Sequence, residues 1–376
     1  EGEKMKNKKS VIPFKPYKLP IFTCENPKLK DTEKIKLLEK VITATQLLER
    51  FHNKLESSPI KDAMMFVFSL NESIQSTKIE GTHATFDGYL ESQTIGKYTK
   101  DNQEVKNYLE ALEQGVEMLE NTPISTRMFL KLHKSILTGS RGENKAPGMY
   151  RKVQNFIGPT NKIEDATYIP PEAQLIEDYM SNLEKYINNE IKEELHPLIK
   201  AGIIHAQFES IHPFLDGNGR LGRILIILYL IQEKIIIKPN FFVSEELERN
   251  KFKYYALLND LRAEEPQWFG WLDFFLVSII KQAEKYIEKL EKVEILRTEI
   301  SKYNIDDRVL FHIFKNPVFQ IKDIVNAFNN FEKKYHISYV TAKKNVEILV
   351  DNKKLYHDNK KRNRIYRFYE LLDMLS

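Results

Sequence analysis

His212-Pro213-Phe214-Leu215-Asp216-Gly217-Asn218-Gly219-Arg220-Leu221-Gly222-Arg223 places an imidazole, a carboxylate, three glycines and two guanidinium groups within twelve positions. The preceding segment, Leu195 to Ile211, has apolar residues at Leu198, Ile199, Ile203, Ala206 and Ile211. That spacing is helical, so His212 leaves the end of a helix. Pro213 has no N–H to donate and discourages the residue before it from staying helical, which turns the chain. Gly217, Gly219 and Gly222 let the backbone approach an anion with no Cβ in the way. A helix starting near Gly219 adds unpaired N–H groups carrying roughly half a positive charge. Arg220 and Arg223, three residues apart, put two guanidinium forks on neighbouring positions of that helix. A polyphosphate matches this set better than a single carboxylate does.

Asp216 would repel a bare phosphate, so its presence points to a divalent cation between them, and Mg²⁺ is the ion held by one or two carboxylates plus phosphate oxygens. His212 stands beside the phosphates with an intrinsic pKa suited to accepting a proton near neutrality. A histidine before Pro-Phe is commonly a packed turn residue, and Asp-Gly-Asn-Gly is commonly a plain turn. Their joint spacing, directly ahead of an apolar helix, sets the phosphate reading above both.

These twelve residues resemble the signature of the Fic family, His-x-Phe-x-Asp/Glu-Gly-Asn-Gly-Arg-x-x-Arg, and every fixed position is matched. The resemblance implies AMPylation, the transfer of AMP from ATP to a Ser, Thr or Tyr hydroxyl of a target protein, with the reverse de-AMPylation also known in the family. It implies His212 as base, Asp216 as Mg²⁺ ligand, and Asn218 with the amides of Gly217, Gly219, Leu221 and Gly222 at the α-phosphate. It also implies Arg220 and Arg223 at the β- and γ-phosphates.

The chain of 376 residues is long enough for two or three domains, and 42% hydrophobic with 29% charged residues is a globular composition. A net charge of +4 confines any nucleic-acid affinity to a local patch. One cysteine, Cys24, leaves no internal disulfide and suits a reducing cytoplasm. Glu1 to Ser10 lacks the apolar core of a signal peptide. The most apolar run, Leu221 to Ile231, is shorter than the roughly 20 residues of a membrane span, so no membrane partner is expected. Abundant Lys and Ile hint at a bacterial origin.

Along the chain, Pro13, Pro16, Pro20 and Pro27 mark residues 11–30 as an extended arm. Ile35, Leu38, Val41, Ile42, Leu48 and Phe51 give an amphipathic helix from Asp31. A second helix starts near Pro59 and ends at Gly81. Residues 104–137 hold two more helical patterns. Tyr150 to Gly158 and Ala166 to Pro171 are β-prone runs around a turn, a hairpin spacing. Leu247 to Leu261 reads as one helix, Trp268 to Ile280 as an apolar helix, and 281–304 as a charged helical connector. Helical patterns recur at Val309–Ile313, Ile321–Phe328 and Val340–Leu349, followed by Lys354–His357 and Ile365–Tyr369 as a two-stranded wing.

The family resemblance adds roles to three of these segments. Ser76-Thr77-Lys78-Ile79-Glu80-Gly81 resembles the inhibitory pattern Ser/Thr-x-x-x-Glu-Gly/Asn, which implies that Glu80, with Ser76 on the same face, pairs with Arg223 and misaligns the triphosphate. The 150–171 hairpin resembles the flap on which the target registers by strand addition, with Phe156, Ile157 and Gly158 beside the nucleotide. Tyr254 and Tyr255 resemble tyrosines that line the adenine pocket, though a Tyr-Tyr pair at helical spacing is ordinarily core. The C-terminal part resembles a winged helix, and between Ser338 and Arg367 nine Lys or Arg face three acids. Such a face suits DNA or a docking protein. Family members often dimerise, making a homodimer a further expectation.

The expected fold is therefore mainly α: a Fic-type helical bundle with a β-hairpin flap, plus a C-terminal winged helix. The expected divisions are 1–92 for the arm and inhibitory helices, 93–280 for the catalytic core, 281–304 for the connector and 305–376 for the winged helix. The other reading is an ATP-sensing, DNA-binding regulator without transferase activity.

Overall fold

In the computed structural model, residues 12–22, 29–160, 162–330, 332–358 and 360–375 are described. The charged stretch Glu1–Ser10, Cys24 and Pro27 lie outside these residues. The fold is mainly helical. Helix α1 (Asp31–Ser57) starts where its apolar spacing begins, and α2 (Lys61–Ile79) starts just after Pro59. Gly81, at φ 95°, terminates α2 in the left-handed conformation expected of a residue just past a helix end. The buried stripe of α1 is Leu37, Val41, Ala44, Leu48, Phe51 and Leu55; Ile35, Leu38 and Ile42 form a second, exposed stripe. Spacing alone had merged the two.

Helix α3 (Phe86–Ile95), begun by a Thr85 cap, went unread in the sequence because its ten residues carry little apolar periodicity. Next come α4 (Lys100–Leu119), α5 (Thr126–Leu137), the unforeseen α6 (Ile176–Ile187), α7 (Pro197–Ile211) and α8 (Asn218–Gln232). Pro197 occupies the first turn of α7, where a missing N–H leaves no bond unmade. The segment expected as one helix over 247–261 is two, α9 (Ser244–Arg249) and α10 (Lys251–Asp260), broken at Asn250. Conversely, α11 (Trp268–Ser301) runs unbroken for 34 residues through the expected connector. Its second half is not a solvated spacer, because Ala283, Tyr286, Leu290, Val293 and Ile300 continue a buried stripe.

The C-terminal part contains α12 (Asp307–Lys315), β1 (Val318–Phe319), α13 (Ile321–Asn329), α14 (Tyr339–Asp351), β2 (Tyr356–His357), β3 (Tyr366–Arg367) and α15 (Tyr369–Leu375). The strands form one antiparallel sheet in the order β1-β3-β2, with Phe319 and His357 both opposite Tyr366. Strands at Lys354–His357 and Ile365–Tyr369 were legible, shortened here to β2 and β3; β1, two residues long, was not.

The chain divides into two compact units. One comprises the chain up to Val41, Ala111–Ile235 and Asn250–Leu276; the other comprises Ile42–Glu110, Ile236–Arg249 and Val277 onward. The first holds the 212–223 loop and the 150–171 segment, and the second holds Ser76–Gly81 and the C-terminal sheet. No described helix is long and apolar enough to cross a membrane.

Candidate active site

The loop is built from the end of α7 to the start of α8. Every residue of α7 from Leu198 to Ile211 is buried, and the helix closes with His212 in the left-handed conformation, φ 48°, its N–H donating to the Phe208 carbonyl at 2.9 Å. A non-glycine residue in this conformation carries strain, which the surrounding structure must hold in place. Two of the last carbonyls of α7 are satisfied from outside the helix. Arg262 Nη2 donates to Glu209 O at 3.2 Å, and the Tyr168 hydroxyl donates to Ser210 O. The Arg262 guanidinium lies 3.6 Å over the Tyr168 ring.

Asn218 closes the loop on itself. Its Oδ1 accepts from Phe214 N and its Nδ2 donates to Phe214 O, both at 2.9 Å, so the whole side-chain amide is engaged with backbone. Phe214 is buried and stacks on His133 with ring centroids 3.7 Å apart. His133 takes a defined tautomer: Gly148 N–H donates to Nδ1 at 2.9 Å, so Nε2 carries the proton given to the Asp216 carbonyl at 2.9 Å. Burial lowers its pKa to about 4.

Gly217 starts α8 at φ 79°, a conformation that would strain any L side chain. Gly222 permits α7 and α8 to touch, since a Cβ there would lie 2.6 Å from Glu209 Oε1. Gly219 is half-buried and Leu221 buried. Asp216 Oδ1 accepts from Gly217 N and from Arg220 Nη2 at 2.9 Å, while Oδ2 accepts no hydrogen bond among the described residues. Arg220 and Arg223 are buried at 3% and 1% exposure. Guanidinium groups held this dry have a fixed geometry and a high stake in any anion that reaches them.

His212 differs from its sequence reading in one respect. Burial first, then the positive charges of Arg262 and Arg151, lower its pKa to about 3, against the opposing pull of the Glu209 carbonyl and Asp216. The imidazole is therefore neutral and proton-accepting at every physiological pH, and a weaker base than an exposed histidine.

Arg151, unremarked in the sequence, ties the base of the 150–171 segment to this histidine. Its Nε donates to His212 O at 2.9 Å, Nη1 to Val153 O at 3.2 Å and Nη2 to Pro171 O at 2.6 Å, while its backbone N–H donates to Pro213 O at 2.9 Å. It is 2% exposed, and burial lowers its pKa to about 10. The expected hairpin contracts to one antiparallel bridge, Ile157 with Tyr168; Asn161 lies outside the described residues. Backbone N–H and C=O groups of Phe156 and Gly158 make no backbone hydrogen bond among the described residues. On the far side of the bridge, Phe14 N donates to Ile169 O at 2.8 Å, so the N-terminal arm occupies that edge.

Tyr254 is core. It is 1% exposed, and its hydroxyl donates to His205 Nε2 at 2.8 Å, because His205 Nδ1 gives its proton to the Gly222 carbonyl at 3.1 Å. Tyr255, 38% exposed, is the accessible member of the pair. In the other unit, Ser76 is buried within α2, and Glu80 is an exposed residue at its C-terminal end.

No group of three or more His, Cys, Asp and Glu that could hold a metal occurs among the described residues. One carboxylate with an uncommitted oxygen nevertheless fits Mg²⁺, which keeps several waters and takes most other ligands from phosphates.

The family model described as Fic/DOC family matches residues 123–230, and Fic/DOC family N-terminal matches 38–117; together they span half of the chain. "Protein adenylyltransferase Fic" of Drosophila yakuba is 26% identical over 141 residues, covering 38% of this chain and 26% of that protein. The Drosophila melanogaster protein of the same name is 27% identical over 143 residues, covering 38% and 26%. The matched part is thus about a quarter of those relatives' length. Among solved structures, a Fic family protein from Desulfovibrio desulfuricans G20 superposes with TM-score 0.58 at 18% identity, covering 94% of this chain and 98% of that one. Fic-1 (aa134–508) from C. elegans gives 0.50 at 20%, covering 71% and 74%.

Proposed function

The chain belongs to the Fic/DOC family, and from that premise we propose that it transfers AMP from ATP to a side-chain hydroxyl of a protein. The observation that carries this reading is how the loop divides its groups. Asn218 and Asp216 Oδ1 hold the loop's own shape, whereas a neutral His212 and the first-turn N–H groups of α8 are left to meet a substrate. Pre-set donors of this kind stabilise developing charge without reorganising during the reaction.

In the proposed reaction the target hydroxyl oxygen attacks the α-phosphorus, the bond to the bridging oxygen breaks, and pyrophosphate leaves. The hydroxyl proton passes to the His212 imidazole. The neutral imidazole accepts that proton as the oxygen bonds to phosphorus and grows more acidic. Negative phosphates beside His212 also raise its proton affinity on binding. Arg220 and Arg223 orient the leaving phosphates. Asp216 Oδ2 would hold Mg²⁺, which neutralises phosphate charge when bound. The open backbone edge at Phe156 and Gly158 would register an extended target segment, and the accessible Tyr255 would meet a base. Ser76 and Glu80 serve as the brake.

The test is mass spectrometry of wild type and Glu80→Gly after incubation with ATP and Mg²⁺. Adenylylated Ser, Thr or Tyr at several-fold higher occupancy in Glu80→Gly is expected. Equal occupancy in the two proteins would remove the brake. The complete lack of adducts on both, with ATP binding intact, would favour the ATP-sensing regulator.

A further inference from the structure

The second unit contains a groove of about 400 Å³ lined by residues of α13, α14 and the turn between β2 and β3. Five cations line it, Lys322, Lys343, Lys361, Arg362 and Arg364, against one carboxylate, Glu347. Lys343 is 3.5 Å from Glu347, and Arg364 Nε donates to the Lys360 carbonyl at 3.1 Å. Lys361 and Arg362 form no ion pair with any carboxylate among the described residues.

The helix behind this charge is oriented by its own burial. Ala342, Val346 and Leu349 of α14 face inward, leaving Lys343, Lys344 and Glu347 outward. Its first turn is bare as well, with Tyr339 53% and Val340 76% exposed. Ser338 Oγ accepts from Thr341 N at 3.0 Å and fixes that turn. A 13-residue helix is about 20 Å long and fits a major groove about 12 Å wide. The five cations that line the groove come from three elements, α13, α14 and the β2–β3 turn, a spread that a repeating phosphate backbone can follow. An acidic peptide would gain little strand pairing here, because β2, the edge strand beside the basic turn, offers only two residues.

This face also belongs to the unit that carries the inhibitory segment. Arg367, on the strand leaving the basic turn, pairs with Glu91 of α3 at 2.8 Å, and Thr94 Oγ1 donates to Val318 O at 3.1 Å. Helix α12 packs on α2, with Lys315 Nζ 5.5 Å from the Phe66 ring. Ser76 lies on α2 and Glu80 follows it.

We propose that this face docks the phosphate backbone of duplex DNA, with α14 entering the major groove, and that the seated duplex stiffens the segment bearing Ser76 and Glu80. The meaning of that stiffening for AMP transfer rests on the proposed function; the binding does not.

The test uses the full chain and a fluorescent 20-base-pair duplex of mixed sequence. Affinity is expected to fall with a log–log salt slope of about −4, as for four or five neutralised phosphates. The triple variant Lys343→Glu, Lys361→Glu, Arg362→Glu should lose at least about tenfold at low salt. Lys361→Ala with Arg362→Ala, confined to an exposed turn, should lose a smaller but measurable part with an unchanged melting curve. Salt-independent binding, or full affinity in both variants, would overturn the assignment, and equal affinity for a polyglutamate peptide would replace it with an acidic protein partner. Hydrogen exchange of amides 74–82 should slow when the duplex is bound. Unchanged exchange at saturation would overturn the link to the brake, whether or not the chain transfers AMP.

Discussion

The loop at 212–223 and the groove between α13, α14 and the β2–β3 turn both gather cationic side chains, and they differ in how those cations are kept. Arg220 and Arg223 are buried to within 3% and 1% exposure, and Arg220 is held by Asp216 at 2.9 Å. Lys361 and Arg362 stand in solvent. A buried guanidinium has lost its water and must be compensated by fixed partners, which makes it an accurate but unforgiving orienting group. An exposed lysine keeps its hydration and mobility, acts at long range and is screened by salt. Chemistry at one phosphorus atom needs the first kind of site. Docking along a polymer is served by the second.

Four measurements would break or sharpen this contrast. The largest effect is expected at His212→Ala, which should lower AMP transfer by about 10²- to 10⁴-fold while nucleotide affinity changes little. Retained transfer would show that the imidazole is not the proton acceptor.

Next, Asn218→Ala removes both hydrogen bonds that close the loop on Phe214. Buried backbone groups left without partners should cost about 1–3 kcal/mol in denaturant unfolding and weaken ATP binding as well. Loss of transfer with full stability and full ATP affinity would mean that this amide acts on the α-phosphate directly.

Acid should destabilise the protein. His133, His205 and His212 have pKa values lowered from 6.5 to about 4, 3 and 3. These are depressed in the folded state, so their neutral forms contribute fully above the unfolded value of 6.5. That contribution is lost as pH falls from 6.5 toward about 4 for His133 and about 3 for His205 and His212, a window in which the unfolded chain binds protons the folded one refuses. Denaturant midpoints at pH 7 and pH 5 check this, the expected order being lower at pH 5. In the same range kcat/KM should show no limb near 6.5 attributable to free His212.

The smallest expected effect is that of salt on the nucleotide. Raising it from about 50 to 200 mM should change ATP affinity by less than about tenfold, against about 10²-fold for the duplex, since buried arginines are screened least. Equal sensitivities would erase the distinction between the two sites.

How much could be read without the structure depended on how far apart in the chain the cooperating residues lie. The loop was legible because its groups fall in twelve consecutive residues, and the C-terminal helices because each carries its own apolar stripe. Arg151, Arg262, His133 and Tyr168 were not, since each reaches the loop or the end of α7 before it from a segment at least 40 residues away in the chain. Arg151 sits beside Lys152 in a β-prone run, and nothing local distinguishes the cation that points inward. The break at Asn250 and the continuity of α11 past Ile280 were likewise set by packing, which let a charged-looking segment bury one face. The resemblance assigns the Asn218 amide to a phosphate, and in the fold both ends of that amide are engaged with the Phe214 backbone, a contact that spacing does not reveal.

The central claim is tested most directly by incubating the Glu80→Gly protein and its His212→Ala derivative with ATP labelled at either the α- or the γ-phosphate. Protein-bound label from the α-position alone, present in Glu80→Gly and absent from the double variant, is the predicted result. Label arriving from the γ-position, or equal α-label in both proteins, would contradict it.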